Sequence, residues 1–264
     1  MAHDARFGAL LTHIENDEPP NVRWNRTDRV LSRVEWQLTR EFVPGYGMCE
    51  FFKGHHVIGR DRPITRGIYL GSHAREAIVV TDDPSMLRAY HDLRRRLGRV
   101  PWRLGEPAII RAVHDFVRER MPGGRAETRT LLARVLPDRP GDEKIALSVF
   151  VENGAGVCRH RPLFGAYLVE KLIRDRVLFG RVSIDRAEDD QGGHAWMRYV
   201  SRWSGRILIS DPAIGPCGEL FSLREEWSYL RPGDVRPAEA NPLLDPLDHA
   251  IMATGLLWLI WRYL

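Results

Sequence analysis

A chain of 264 residues with 44% hydrophobic content is long and apolar enough for one large domain, or for a core domain with an N-terminal addition. Its formal net charge of +4 is spread along the chain, so no nucleic-acid partner is expected. Three cysteines, Cys49, Cys158 and Cys217, are too few for a disulfide framework and point to a reducing, cytoplasmic setting.

The first twenty residues carry charges throughout and lack the apolar run of a signal peptide, although a non-Sec export route would leave no such mark. Only Lys53, Lys144 and Lys171 are lysine among 39 cationic residues. The codon bias of a GC-rich genome accounts for this. So would an amide-transferring enzyme that avoids acyl acceptors on its own surface.

Apolar spacing predicts a short helix over 5–15 (Phe7, Leu10, Leu11, Ile14), stopped by Asp17-Glu-Pro-Pro20. It predicts a second over 27–42, with Val30, Val34, Leu38 and Phe42 on one stripe and Pro44 to Gly47 ending it. Strand-like runs follow at Gly67–Leu70 and Ala77–Thr81. His55 and His56 have no cysteine or carboxylate at ligand spacing and read as surface or packed histidines. Asp83-Pro84 is a helix start, an N-cap followed by proline, and Met86, Tyr90, Leu93 and Leu97 form its apolar stripe. Its arginines, Arg88 and Arg94 to Arg96, read as a solvated face. Glu106-Pro107 opens the next helix, with Ile109, Val113, Phe116 and Val117 inward, and Pro122-Gly-Gly124 ends it. A short helix at 128–136 and a loop from Pro137 to Asp142 follow.

Beyond that, Phe164, Tyr167, Leu168 and Leu172 mark a helix, and Val177–Ile184 reads as a strand. Asp185 to Gly193 is polar and reads as a mobile loop. His194–Val200 and Arg206–Ser210 read as a hairpin. Ser222-Leu-Arg-Glu225 has the form of a capping box opening a helix with Trp227 and Leu230. Asp245-Pro246 opens a last helix, apolar nearly all round from Ile251 to Trp261. It reads as buried in the core or under a partner, which makes 246–264 the candidate contact for a homo-oligomer. No membrane association is expected: a surface helix would need a basic polar face, and the run falls short of the ~20 residues of a membrane span.

Chemistry concentrates in Asn153-Gly-Ala-Gly-Val-Cys-Arg-His160. Two glycines lead into Cys158 at a helix start, where free N–H groups and the helix dipole favour a thiolate. Arg159, His160 and Arg161 would make its neighbourhood electropositive. Gly192-Gly-His-Ala-Trp-Met197 then supplies a base, His194, and Asp211-Pro-Ala213 supplies a group to fix that base's tautomer. Zinc is a weak rival. Cys158, His160, His194 and Cys217 are ligand types, but residues two apart on a helix point to opposite sides, and Cys217 has no CxxC partner.

In order, spacing and local context, GVCRH, GGHAW and a strand ending in DPA resemble the transglutaminase-like superfamily of papain-type cysteine enzymes, over about residues 105–215. The resemblance implies an α+β fold in which a helix bearing the cysteine packs on an antiparallel sheet bearing the histidine and aspartate. Residues 1–100 would be an N-terminal extension of helices and short strands packed on a catalytic domain of residues 101–264. Cys158 would attack a carboxamide or peptide carbonyl of a protein or peptide substrate, His194 would protonate the leaving amine, and Asp211 would orient His194. No metal or organic cofactor is required. One oxyanion donor would be the Cys158 N–H. Asn153 either supplies a second or only turns the chain; Trp196 walls an acyl tunnel or packs behind His194; His160 bonds locally or orients the loop. The thioester goes to water or to an amine, and the polar 185–193 segment favours water. A catalytically inactive binding scaffold is the non-enzyme alternative.

Overall fold

Two sheets and six helices build the part of the chain that the computed structural model describes, residues 27–98, 104–137, 141–189, 192–224, 229–231 and 234. The class is α+β. Met1–Pro232 form one compact unit and Gly233–Leu264 a second. The predicted helices over 5–15 and 246–264 lie outside the described residues.

The first sheet has the order β1-β2-β3-β4-β5-β6, with β1 Leu38–Val43, β2 Gly47–Phe52, β3 His55–Val57, β4 Gly67–Tyr69, β5 Ala77–Val79 and β6 Lys144–Ala146. β3/β4 and β5/β6 are parallel, the other pairs antiparallel. The helix predicted over 27–42 is corrected here. α1 covers only Thr27–Arg33, and Leu38–Val43 extends against β2 from Leu38↔Phe52 to Val43↔Gly47. Helix preference is worth at most ~0.7 kcal/mol per ordinary residue. Thr39, Phe42 and Val43 favour extended chain, and a six-residue ladder outweighs the stripe. Val30 and Val34 stay buried, whereas Phe42 is 69% exposed.

Alternation along β4 and β5 gives this sheet two packed faces. Ile68, Leu70, Ala77 and Val79 pack with Val30 and Val34, while Tyr69, Ile78 and Val80 join the main core. That core is closed by α2 (Pro84–Leu97), α3 (Glu106–Arg120), α5 (Leu147–Glu152) and α6 (His160–Arg174); α4 is Arg125–Val135. Asp83 caps α2 as expected, accepting from the N–H of Ser85 and Met86, each at 3.0 Å, and the whole predicted stripe of α2 is buried. His56 is buried against the Pro63 carbonyl, and His55 contacts that of Arg66.

The second sheet has the order β10-β9-β8-β7, all antiparallel: β7 Gly180–Asp189, β8 Gly192–Ser201, β9 Ile207–Ser210 and β10 Cys217–Glu219. Val182, Ile184, Ala195, Met197, Tyr199 and Leu208 face the main core. Trp196 and Ile209, on the opposite face, are covered by Leu220 and Tyr229. The loop expected over 185–193 is corrected: pairing runs out to Asp189↔Gly192, because β8 offers a complete ladder to a polar segment. The helix predicted to open at Ser222 would run through residues 225–228, which lie outside the described residues. Ser222 ends a 3-10 turn (Leu220–Ser222) and Leu223 is extended; Trp227 lies outside the described residues.

α6 is the joint between the sheets. It packs on β7 and β8. On its other side Glu170 accepts from the N–H of Ile64 (2.9 Å) and Thr65 (2.7 Å), and Tyr167 and Lys171 donate to Asp82.

One consequence is local to α2. Asp83→Ala should destabilise the protein by about 1 kcal/mol, through loss of the two cap bonds. A shift in the urea midpoint without a change of slope checks this; an unchanged midpoint would show that the cap contributes nothing.

Candidate active site

Helical hydrogen bonding begins before α6 proper. The Val157 carbonyl accepts from His160 N (2.9 Å) and Arg161 N (3.2 Å), so Cys158 lies in the first turn, near the helix N-terminus as expected. The loop ahead of it is pinned by the loop after α3: Gly123 N donates to Gly154 O (2.8 Å), and Gly156 N to Gly123 O (3.0 Å). A Cβ at Gly156 would meet Met121 Cε at 2.4 Å, so a side chain there would displace the buried end of Met121. Thus the glycines after α3 hold the glycines before Cys158, a long-range contact that local spacing does not reveal.

β8 and β9 bring the other two members together. Their register pairs Met197 with Ser210, so Asp211 continues opposite Trp196, on the face that carries His194. His194 Nε2 lies 2.5 Å from Asp211 Oδ2. Asp211 is fully buried, and its carboxylate is saturated with donors. Oδ1 accepts from Ala213 N (3.2 Å) and Ile214 N (3.3 Å), the turn that Asp-Pro-Ala favours. Oδ2 also accepts from the Tyr229 hydroxyl at 3.3 Å. Tyr229 was not singled out by sequence, and no local motif marks it. Trp196 is buried behind His194, its ring stacked at 6.0 Å and edge-on to Tyr229 at 5.2 Å. Of its two readings the packing one holds; it does not wall the cavity at Cys158.

The Cys158 thiol and His194 line one cavity, and Cys158 Sγ approaches the Gly193 carbonyl at 3.6 Å. Because Asp211 occupies Nε2, the ring nitrogen left for sulfur is Nδ1. Burial works against a charged imidazole, but the Asp211 carboxylate and the thiol outweigh it and push His194 up to about 10. Burial likewise opposes a thiolate at Cys158; His194 and, behind it, Arg159 overcome this and hold the thiol below its ordinary value. The site thus favours a thiolate–imidazolium pair.

The basic neighbours contribute less than expected. Arg159 is ion-paired with the buried Glu76. Arg161 is spent on the carbonyls of Pro122, Gly123 and Pro212. His160 is fully buried against Phe150, its Nδ1 accepting from Val157 N at 3.2 Å. Burial lowers it to about 4, so it is neutral at pH 7 and bonds locally. Its Nε2 faces Glu76 at 3.5 Å, a long and weak hydrogen-bond contact. Burial opposes ionisation of Glu76, yet His160 and Arg159 bring that carboxyl down to about 2.

Asn153 is not brought to the thiol. Its Nδ2 donates to Val149 O (2.8 Å) at the end of α5, and its Oδ1 accepts from Arg134 (2.7 Å), so the side chain closes a helix instead of reaching an oxyanion. The Cys158 N–H lies at the open end of the first turn. Cys217 is buried on β10, and burial pushes its thiol up to about 11. Among the described residues no three His, Cys, Asp or Glu side chains converge as a metal site. A cavity of about 40 Å³ adjoins Cys158 and His194, and Tyr69, Gly71, Ser72 and Arg75 form one wall of it. The first hundred residues therefore contribute to the site, which their sequence did not signal.

Two outcomes follow from the charges. Cys158 should alkylate with a pH midpoint below the ~8.5 of a free thiol, and at pH 7 on the order of tenfold or more faster than Cys217. His194→Ala should move that midpoint upward, because burial then acts unopposed; peptide mapping after iodoacetamide reads both. Asp211→Asn keeps the turn but removes the charge, so the His194 imidazole should titrate well below its present value of about 10, as followed by NMR. An unmoved titration would show that Asp211 does not set the protonation of His194.

No protein-family model matches this chain, and no curated protein or solved structure matches it either.

Proposed function

We propose that the protein is a thiol-dependent amidase of the transglutaminase-like, papain-type architecture, acting on peptide, isopeptide or glutamine amide bonds. The observation that carries this reading is the pairing of His194 with the buried Asp211 beside a cavity that His194 lines together with Cys158. It is supported by the placement of the thiol in the first turn of a helix that packs on the antiparallel sheet bearing the other two.

In this reading the Cys158 thiolate attacks the carbonyl carbon, and the oxyanion that forms accepts from the Cys158 N–H. The proton held on His194 Nδ1 passes to the leaving amine as the C–N bond breaks, leaving a thioester. A water then gives its proton to His194 and attacks the thioester. Thiolate departs, the acid is released, and the imidazolium is restored. Asp211 keeps its charge throughout and holds the ring by Nε2. Tyr229 is a positioning residue, since it touches only Asp211 and Trp196 among these groups.

Water is favoured over an amine as the acceptor. The expected support from a polar loop at 185–193 is gone, since that segment is paired strand up to Asp189. The cavity itself gives a better reason: Arg75 and Arg186 line it, and their guanidinium groups repel a protonated lysine-like amine.

A glutamine-containing protein mixture, offered with and without a labelled primary amine, tests the reading. Ammonia or new termini should appear, require Cys158, and exceed amine incorporation. Asp211→Asn should reduce turnover by about 10²–10⁴-fold while the protein stays folded. The pH profile should rise through the depressed thiol pKa and fall as His194 loses its proton near about 10. Cys158-dependent amine incorporation that outpaces hydrolysis would make the protein a transamidase. Full activity in Cys158→Ala would end the thiol mechanism.

A further inference from the structure

The cavity beside Cys158 carries a positive charge that the attack by Cys158 does not itself require. Among its described lining residues three are arginines and none is acidic. Arg159 is neutralised by Glu76. The other two are not neutralised by any described carboxylate.

Arg186, on β7, is 5% exposed. Its Nη1 donates to Leu70 O (2.8 Å) and its Nη2 to Ile58 O (3.0 Å), so it ties the second sheet to the first. Its guanidinium lies 4.1 Å over the Tyr69 ring, and its buried Nε has no partner. Carbonyl dipoles and an aromatic face soften the cost of burying this charge but do not cancel it.

Arg75 is half-buried, and among the described residues no carboxylate or carbonyl takes its guanidinium. Its side chain folds back over Gly71: a Cβ there would stand 2.7 Å from Arg75 Nε and 2.8 Å from Cδ. Gly71 has ordinary backbone angles, and its lack of a side chain leaves room for Arg75 to lie over it at the cavity wall. The free N–H groups of the first turn of α6 add to the positive potential.

We propose that this cavity is a carboxylate subsite, with Arg75 as the residue that reads the carboxylate and Arg186 as a fixed positive charge beneath it. The substrate is then an acidic amide, one whose carboxylate lies within about one residue of the scissile bond. The size agrees. About 40 Å³ holds roughly three waters at ~10–15 Å³ each, the room of a carboxylate with its first carbon. The planar fork of arginine matches a carboxylate with two parallel hydrogen bonds. This assignment rests on Cys158 being the nucleophile.

The test uses thiol probes that differ only in charge. N-iodoacetylglycine carries a chain-terminal carboxylate, and the α-amide of N-iodoacetylglutamate carries one on a side chain. N-iodoacetylglycinamide and the α-amide of N-iodoacetylglutamine are their neutral counterparts. Alkylation of Cys158 in the full chain is read by peptide mapping. In the wild type at least one carboxylate probe should react on the order of tenfold faster than its neutral counterpart, the scale of a charge-assisted contact. Which of the two gains identifies a terminal or a side-chain carboxylate. Arg75→Gln should bring that ratio down towards unity, and Arg75→Lys should retain part of it. A ratio near unity in the wild type, or one that survives Arg75→Gln, overturns the subsite and leaves the nucleophile standing. A Cys158 inert to the neutral probes as well would overturn the nucleophile, and the subsite with it.

Discussion

A fully buried carboxylate at Asp211 is the constraint on which this site depends. In a low-dielectric interior an uncompensated charge of this kind costs several kcal/mol. The protein meets that cost with four donors: two backbone N–H groups, the Tyr229 hydroxyl and His194. Of these only His194 can bring a full positive charge, so the carboxylate holds a proton on the imidazole. The protonated ring in turn holds the thiol below its ordinary value. The three groups are one electrostatic unit, and removing a member changes the protonation of the others.

The remainder of the fold keeps that unit in register. α6 delivers the thiol, and β8 and β9 deliver the imidazole and carboxylate on one face. The first sheet is not an appendage to this arrangement. Glu76 pairs with Arg159 at the start of α6, the N–H groups of Ile64 and Thr65 hold Glu170 nearer its end, and Arg186 reaches back from the second sheet to the carbonyls of Leu70 and Ile58. β6, from the middle of the chain, completes a sheet begun more than a hundred residues earlier. Displacing the first sheet would move the helix that carries Cys158.

In the proposed reaction, charge at the cavity wall bears on the fate of the acyl-enzyme. Attack by thiolate would be the same for hydrolysis and transfer, so Cys158, His194 and Asp211 do not choose between them. Positioning of the second nucleophile does, and positioning is worth several kcal/mol. A wall of guanidinium groups disfavours a cationic amine and leaves a neutral water unaffected. The scarcity of lysine in the chain, which would fit a transamidase, is equally a matter of codon usage.

Sequence by itself determined what is encoded locally. The cap of α2, the stripes of α2 and α3, the placement of Cys158 in a first turn, and the order of Cys158, His194 and Asp211 all follow from neighbouring residues. Helix starts and apolar periods are short-range signals, which is why they were legible. Tertiary structure decided everything that depends on a distant partner. Leu38–Val43 became strand because β2 was there to pair with it, and Asp185–Asp189 did so against β8. Asn153 was drawn to Arg134 and a helix end, and Tyr229 was carried to Asp211. The loop holding Gly71 and Arg75 came to line a cavity whose other wall lies beyond residue 150. Hydrogen-bond ladders and buried charges take partners by position in space, and that position exists only once the chain has folded.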